Sequence, residues 1–281
     1  MARAWRTSVT ARGIVAVCFG PQMGMKGVVT AGATLTIGSA EGVGLRIVDE
    51  ALAPVQLEVG WDGVQAQVAH RGGRALTMVD GQAIEYARIG HGQWIRAGNT
   101  DLTFHVEAFT AAEPREPAIA VAAERALAGL RGNAGLYAIL DVARDPRIAE
   151  LMREAVEPCF PLFDGLEAAR QAEAAPQLVA LSADSRLLAD LVREGWGARW
   201  TAWLTSPREP AVVRRHLRQF LLANIPGEAD PVYFRFYDPG VLRVVLETAN
   251  DEERRRWFGD VVESYLGEDP AAASGWWTIL R

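Results

Sequence analysis

The stretch Val232-Tyr-Phe-Arg-Phe-Tyr-Asp-Pro-Gly-Val-Leu242 decides how the second half of this chain is read. Val232, Phe234 and Phe236 alternate with Tyr233, Arg235 and Tyr237. Period two in β-branched and aromatic residues predicts a strand. Asp238-Pro239 then predicts the start of a helix. The carboxylate accepts from free N–H groups of the first turn, and proline in the first helical position loses no hydrogen bond. Arg235 is a permanent cation among aromatic neighbours. If that face is buried it needs a carboxylate or carbonyl partner, because stranding one member of a buried pair costs about 3–5 kcal/mol. Asp238 is a candidate.

The same arrangement recurs upstream. Leu136-Tyr-Ala-Ile-Leu140 is an apolar run, and Asp145-Pro146 opens a helix with Ile148, Leu151, Met152 and Ala155 on one face. Residues 176–181 read as the next strand, with Asp184 capping a helix that carries Leu187, Leu188 and Leu191. Residues 198–205 read as a third strand, and Trp196, Trp200 and Trp203 as core aromatics. Ser206-Pro-Arg-Glu209 has the form of a capping box, ahead of a helix burying Val213, Leu217, Phe220 and Leu221. A turn at Ile225-Pro-Gly227 leads into the opening stretch, and a last helix is predicted over residues 252–266. Strands alternating with helices predict an α/β domain with a parallel or mixed sheet and a helical C-terminal part.

The first part is different. Residues 14–19, 28–37, 45–48, 55–59, 64–68, 76–79, 94–96 and 102–106 are short apolar or alternating runs punctuated by glycine. Many short strands with turn signals between them predict an all-β sandwich or barrel. Residues 108–117, with two prolines and little to bury, read as a linker, and a helix follows over 119–130. The expected organisation is a β-sandwich over 1–108, a linker over 109–118 and an α/β domain over 119–281.

Composition bounds the function. The chain has 281 residues, 49% hydrophobic and 23% charged, with a mean hydropathy of +0.02, which suits about two globular domains. No apolar run approaches the ~18–20 residues of a membrane helix, and the start shows no export signal, so a cytoplasmic protein without membrane insertion is expected. Cys18 and Cys159 are too few and too far apart for a disulfide framework or zinc site. Charge is balanced over the first 110 residues, so the net −6 falls on the remainder, and no basic face for nucleic acid is evident. His70, His91 and His105 lack Cys, Asp or Glu in ligand registers, and no metal is expected. No phosphate-binding glycine loop or Gly-x-Ser-x-Gly elbow is present. His216, the one histidine of the second domain, has no nucleophile beside it. No catalytic constellation or cofactor site emerges, and a non-enzymatic protein is expected.

Over residues 27–106 the order of motifs resembles a forkhead-associated (FHA) domain. Thr36-Ile37-Gly38 looks like the strand entering its first ligand loop, and Leu45-Arg-Ile-Val-Asp49 like the strand and aspartate that follow. Val79-Asp80-Gly81 sits at its hairpin, and Gly92-Gln-Trp-Ile95 with Gly98-Asn-Thr-Asp-Leu102 looks like its closing strands. The family grips phosphothreonine with an arginine after the first glycine, a Ser-x-x-His segment and a Ser-x-Asn-Gly loop. The corresponding positions here are Ser39, then Ala53 and Gln56, then Gly73 and Ala75. A phosphate dianion wants fixed donors and preferably a bidentate guanidinium, and Ser39 and Ala53 in place of the arginine and serine remove most of that grip. The resemblance therefore implies a sandwich that has lost its phosphopeptide grip and serves as scaffold or docking surface, unless Arg46 or Arg71 substitutes.

Over most of residues 135–250 the chain resembles the adaptor-chaperone domain of bacterial type VI secretion systems. The segments are Tyr137-Ala-Ile-Leu-Asp141, Ala175-Pro-Gln-Leu-Val179, Trp196-Gly197, His216-Leu-Arg218 and Phe234-Arg-Phe-Tyr-Asp-Pro239. The resemblance implies a protein that holds a toxic effector in the cytoplasm and helps load it onto the VgrG spike or its PAAR tip. It marks Asp141, His216, Arg218, Arg235, Tyr237, Asp238 and Pro239 as residues that shape the domain more than they touch the effector. The alternative is a phosphothreonine-dependent signalling or scaffold protein regulating the same system. Trp276 and Trp277 cannot both face one core from a strand, which leaves a contact patch or a tail folded back on its own domain.

Overall fold

The computed structural model describes residues 11–163, 175–223, 230–269 and 275–281. The first ten residues and the turn expected at Ile225–Gly227 lie outside the described residues. The chain divides into two compact units, residues 1–111 with Arg153–Pro158, and residues 112–152 with Cys159–Arg281. The first unit thus takes in a short segment that the sequence reading assigns to the second domain.

The first unit is a two-sheet β-sandwich. One sheet has the order β2 (Lys26–Val29), β1 (Gly13–Phe19), β11 (Thr100–Val106), β10 (Trp94–Ala97), β7 (Thr77–Val79) and β8 (Gln82–Ala83). The other runs β4 (Leu45–Arg46), β3 (Ala33–Gly38), β5 (Leu57–Trp61), β6 (Ala66–His70) and β9 (Tyr86–Ile89). Every pairing is antiparallel except the two-residue contact of β3 with β4. Alternation places Leu57, Val59 and Trp61 of β5 inward, against Ile37, Val68, Ile95 and Phe104. The ring centroids of Trp61 and Phe104 lie 5.6 Å apart. The run expected over 28–37 is two strands, because a turn at Thr30–Gly32, with Gly32 at φ +80°, reverses the chain. Strand β9 has no apolar alternation to announce it.

In the second unit the sheet order is β13 (Cys159–Pro161), β14 (Gln177–Leu181), β12 (Leu136–Leu140), β15 (Thr201–Thr205), β18 (Ser264–Glu268) and β19 (Trp276–Leu280). Its helices are α1 (Pro117–Leu130), α2 (Pro146–Arg153), α3 (Arg186–Gly195), α4 (Pro210–Arg218), α5 (Pro239–Thr248) and α6 (Asp251–Phe258). The strand–helix alternation expected is present, but the parallel or mixed sheet is not: every neighbouring pair is antiparallel. Strands β14 and β15, joined through α3, are parallel to each other, as such a crossover requires. Strand β12 lies antiparallel between them. Every residue of β12, β15 and β18 is buried, so these strands carry the apolar runs usual for parallel sheets covered on both faces.

The helical C-terminal part is also corrected. Helix α6 opens with a capping box between Asn250 and Glu253 and stops at Phe258, where Gly259 takes φ +55° and returns its N–H to the Arg255 carbonyl at 2.8 Å. Residues 264–268 are then strand, and β19 ends the described chain. Ser206 does not cap α4: its hydroxyl accepts from Arg208 N at 3.1 Å and donates to the Val261 carbonyl at 2.6 Å, and the helix begins four residues later. Ser185, rather than Asp184, caps α3 by accepting from Leu188 N at 3.1 Å.

The quoted stretch is a strand only at its start. Strand β17 (Val232–Tyr233) pairs with β16 (Leu222–Ala223), and the chain then turns. Local bonds from Phe236 N to the Phe234 carbonyl and from Asp238 N to the Arg235 carbonyl replace ladder bonds. Phe236 is wholly buried among Phe220, Trp257 and Tyr237. Aromatic alternation here reports anchoring of a loop, not a sheet.

Candidate functional sites

The five positions singled out in the β-sandwich come together at one end of it. Backbone bonds from Ser39 N to the Ala53 carbonyl (3.0 Å) and from Ala40 N to the Pro54 carbonyl (3.2 Å) close the loop after β3 against the loop before β5. The Ser39 hydroxyl donates to the Leu52 carbonyl at 3.2 Å. Gln56 is fully buried. Its Oε1 accepts from Ala53 N at 3.0 Å, and its Nε2 donates to the Ala75 carbonyl at 2.8 Å. Gly73, at φ +98°, packs so closely that a Cβ would fall 2.8 Å from both the Ala53 Cβ and Gln56 Oε1. The polar side chains at this end are therefore turned inward onto the protein's own backbone.

Asp49 ties in the turn before β11. It accepts from Ala51 N (3.0 Å), Asn99 N (2.7 Å), Asn99 Nδ2 (3.0 Å) and Thr100 Oγ1 (3.0 Å). Burial pushes this carboxyl up, but the hydrogen bonds from Ala51, Asn99 and Thr100 bring it below the usual aspartate value. Both arginines named as substitutes for the missing grip are engaged: Arg71 with Glu58 at 2.7 Å, and Arg46 with Glu41 at 3.4 Å and the Ser39 carbonyl at 3.3 Å. Titration with phosphothreonine peptides is therefore expected to show no phosphate-dependent binding in the micromolar range. A micromolar, phosphate-dependent isotherm would overturn the reading.

In the second unit the adaptor-motif residues assemble around a charge network. Asp141, just past β12, is almost wholly buried, and one of its oxygens, Oδ2, receives Arg235 Nε at 2.9 Å and Arg144 Nε at 3.3 Å. Arg144 also reaches Asp238, which is buried and lies 3.9 Å from Arg199. The partner of Arg235 is thus Asp141, 94 residues away, and not Asp238. Asp238 instead does what the sequence predicts of it, accepting from Gly240 N at 2.8 Å and Val241 N at 3.2 Å at the start of α5, with Pro239 buried in first position. The Arg235 guanidinium carbon lies 6.0 Å from the ring centre of Tyr237, which is partly buried; burial first and the nearby Asp141 charge second push that phenol up.

His216 and Arg218 lie in the last turn of α4, away from this network in the hydrogen-bond pattern. His216 Nε2 donates to the Trp257 carbonyl at 2.8 Å, and its Nδ1 accepts from Gln219 at 3.1 Å. Burial lowers its pKa, against the pull of the Trp257 carbonyl. The ring is a neutral clamp between α4 and α6. Arg218 is half-buried. Trp276 and Trp277 point to opposite sides of β19. Trp277 is buried over Gly267, and Trp276 is half-covered against Gly129 of α1, where a Cβ would come within 2.2 Å of its ring. The tail is folded back on its own unit, as one of the two sequence readings expects. Sequence reasoning missed Arg144 and Arg199, whose only signal is proximity to Asp141 and to Trp200 in the chain.

Among the described residues no group of His, Cys, Asp and Glu has the arrangement of a metal site, and no helix is long and apolar enough to cross a membrane. Residues 136–256 match a family described as a domain of unknown function, DUF4123. No curated protein matches the chain. Among the solved structures similar to it are FHA domains: that of the CT664 protein from Chlamydia trachomatis (15% identity, 34% of this chain and 96% of that one, TM-score 0.32), and that of an Arabidopsis thaliana hypothetical protein (18%, 41% and 99%, TM-score 0.33). A third is the FhaA FHA domain complexed with the intracellular domain of Rv3910 (22% identity, 33% and 99%, TM-score 0.31).

Proposed function

We propose that this protein is a non-enzymatic adaptor that binds a toxic type VI secretion effector in the cytoplasm and helps load it onto the VgrG spike or its PAAR tip. The observation that carries the reading is the coincidence of two boundaries. The motifs that resemble the adaptor domain run from Tyr137 to Pro239, and the DUF4123 match runs over 136–256. The network in which Arg144 joins the motif residues Asp141, Arg235 and Asp238 supports it, because those motif residues are spent on holding strands and helices together and leave the surface for a partner. The β-sandwich is then a scaffold or docking module, in keeping with the inward-turned side chains of Ser39 and Gln56. An effector segment held with useful affinity would bury on the order of 1,200–2,000 Å² in total.

Co-expression with the products of neighbouring genes tests this. The adaptor is expected to co-purify with an adjacent toxin and to raise its soluble yield. A protein that leaves every neighbour's yield unchanged, or that turns over a small metabolite when purified, would refute the proposal.

A further inference from the structure

One end of the second unit's sheet holds a small, partly open chamber of about 10 Å³, walled by α3 and by Trp196, Trp200 and Trp203. All three tryptophans are buried. Two oxygen-bearing side chains complete the wall, Thr201 at the start of β15 and Glu268 at the end of β18. Trp203 and Leu266 form the last pair of the β15–β18 ladder, and Thr201 and Glu268 lie two residues beyond them, on the same faces of their strands.

Glu268 is only half satisfied. Its Oε2 accepts from Gly197 N at 2.5 Å, whereas Oε1 has no hydrogen-bond partner among the described residues. Thr201 Oγ1 is in the same position. Two bare oxygens facing one small space are costly to keep in a protein interior. About 10 Å³ is roughly the room one water molecule needs, and a buried water is held by two to four polar partners.

We propose that this chamber binds one internal water, which bridges Glu268 Oε1 to Thr201 Oγ1 and so clamps β15 to the end of β18 beneath the tryptophans. Burial pushes the Glu268 carboxyl up towards its neutral form, opposed by N–H bonds from Gly197 and Arg199 and by the charges of Arg199 and Arg144. Asp238 is paired with Arg144 and faces Arg199, which tempers that opposition. In the neutral form the carboxyl donates to the water, which donates in turn to the threonine hydroxyl. The clamp lies next to the residue pair Glu268–Trp276, so it fixes the base of the β18–β19 hairpin. This inference is independent of the adaptor reading.

A high-resolution crystal structure of the full chain, with water-selective nuclear Overhauser measurements at the Gly197 amide, tests it. One water is expected within hydrogen-bond distance of both oxygens. In Thr201→Val, which keeps the volume and removes the hydroxyl, that water and its cross-peak should be lost. In Glu268→Gln, which keeps both polar functions, they should persist. A dry chamber in the unmodified protein, a direct Glu268–Thr201 hydrogen bond, or a water retained in Thr201→Val would each overturn the proposal. Should Thr201→Val fail to fold, the measurement on the unmodified protein still decides.

Discussion

Arg235→Met is expected to destabilise the second unit by about 3 kcal/mol, whereas Asp141→Asn should cost only about 1 kcal/mol, although the two residues form one ion pair. The asymmetry comes from burial. The Arg235 side chain is 48% exposed and Asp141 only 1%. Without Arg235 the carboxylate stays buried, with Arg144 at 3.3 Å on one oxygen and nothing among the described residues on the other. Water cannot reach it, so Arg144 alone compensates only part of the desolvation cost. Without the carboxylate charge, Arg235 turns into solvent and Arg144 keeps Asp238. Urea unfolding followed by tryptophan emission reads both changes as midpoint shifts at constant slope. The double variant Arg235→Met/Asp141→Asn should recover part of the loss of Arg235→Met alone, since the stranded charge is gone. Equal losses from the two single variants, or strict additivity, would mean that Asp141 is not the buried member that matters.

That pair also marks how far the sequence can be read. The helix start at Asp238-Pro239 was legible, because a cap depends on residues two and three positions apart and on nothing else. So was the sandwich, where β5 alternates in and out as period two requires. The direction of the second sheet was not legible. Strands β12, β15 and β18 are buried on both faces, and a strand so covered has the same apolar run whether its neighbours run with it or against it. The insertion of β12 between β14 and β15 is a fact of topology that no local pattern carries. Asp141 is picked out by resemblance, but as the partner of Arg235 the sequence offers Asp238 as a candidate, because chain proximity is the only distance a sequence offers. The Ser206-Pro-Arg-Glu209 segment failed for a related reason: its serine donates to the Val261 carbonyl, a tertiary partner 55 residues away that the local motif does not show.

Gly38→Ala should destabilise the first unit by about 3 kcal/mol, at the upper end of what overpacking costs, while Gly32→Ala should cost about 1 kcal/mol. Gly32 has φ +80° but open space around it, so an added methyl meets backbone strain alone. Gly38 is the converse case. A Cβ there would lie 2.2 Å from the Pro54 carbonyl oxygen and 2.9 Å from that of Ala53, and both are backbone atoms that accept the bonds from Ala40 and Ser39. Relieving the clash means breaking the clasp, along with the Ile47 N bond to the Gly38 carbonyl at 2.8 Å. Hydrogen exchange should accelerate at Ser39, Ala40 and Ile47 in Gly38→Ala and not at the amides of β12 or β15. Equal unfolding midpoints for the two variants would show that the loop yields without cost. The clasp is made of the chain's own N–H and carbonyl groups, and its side-chain donors point inward, so no outside anion is needed to order it. A ligand that bound the native loop would raise the unfolding midpoint by mass action. Adding a phosphothreonine peptide in excess should therefore leave the midpoints of the unmodified protein and of Gly38→Ala where they are.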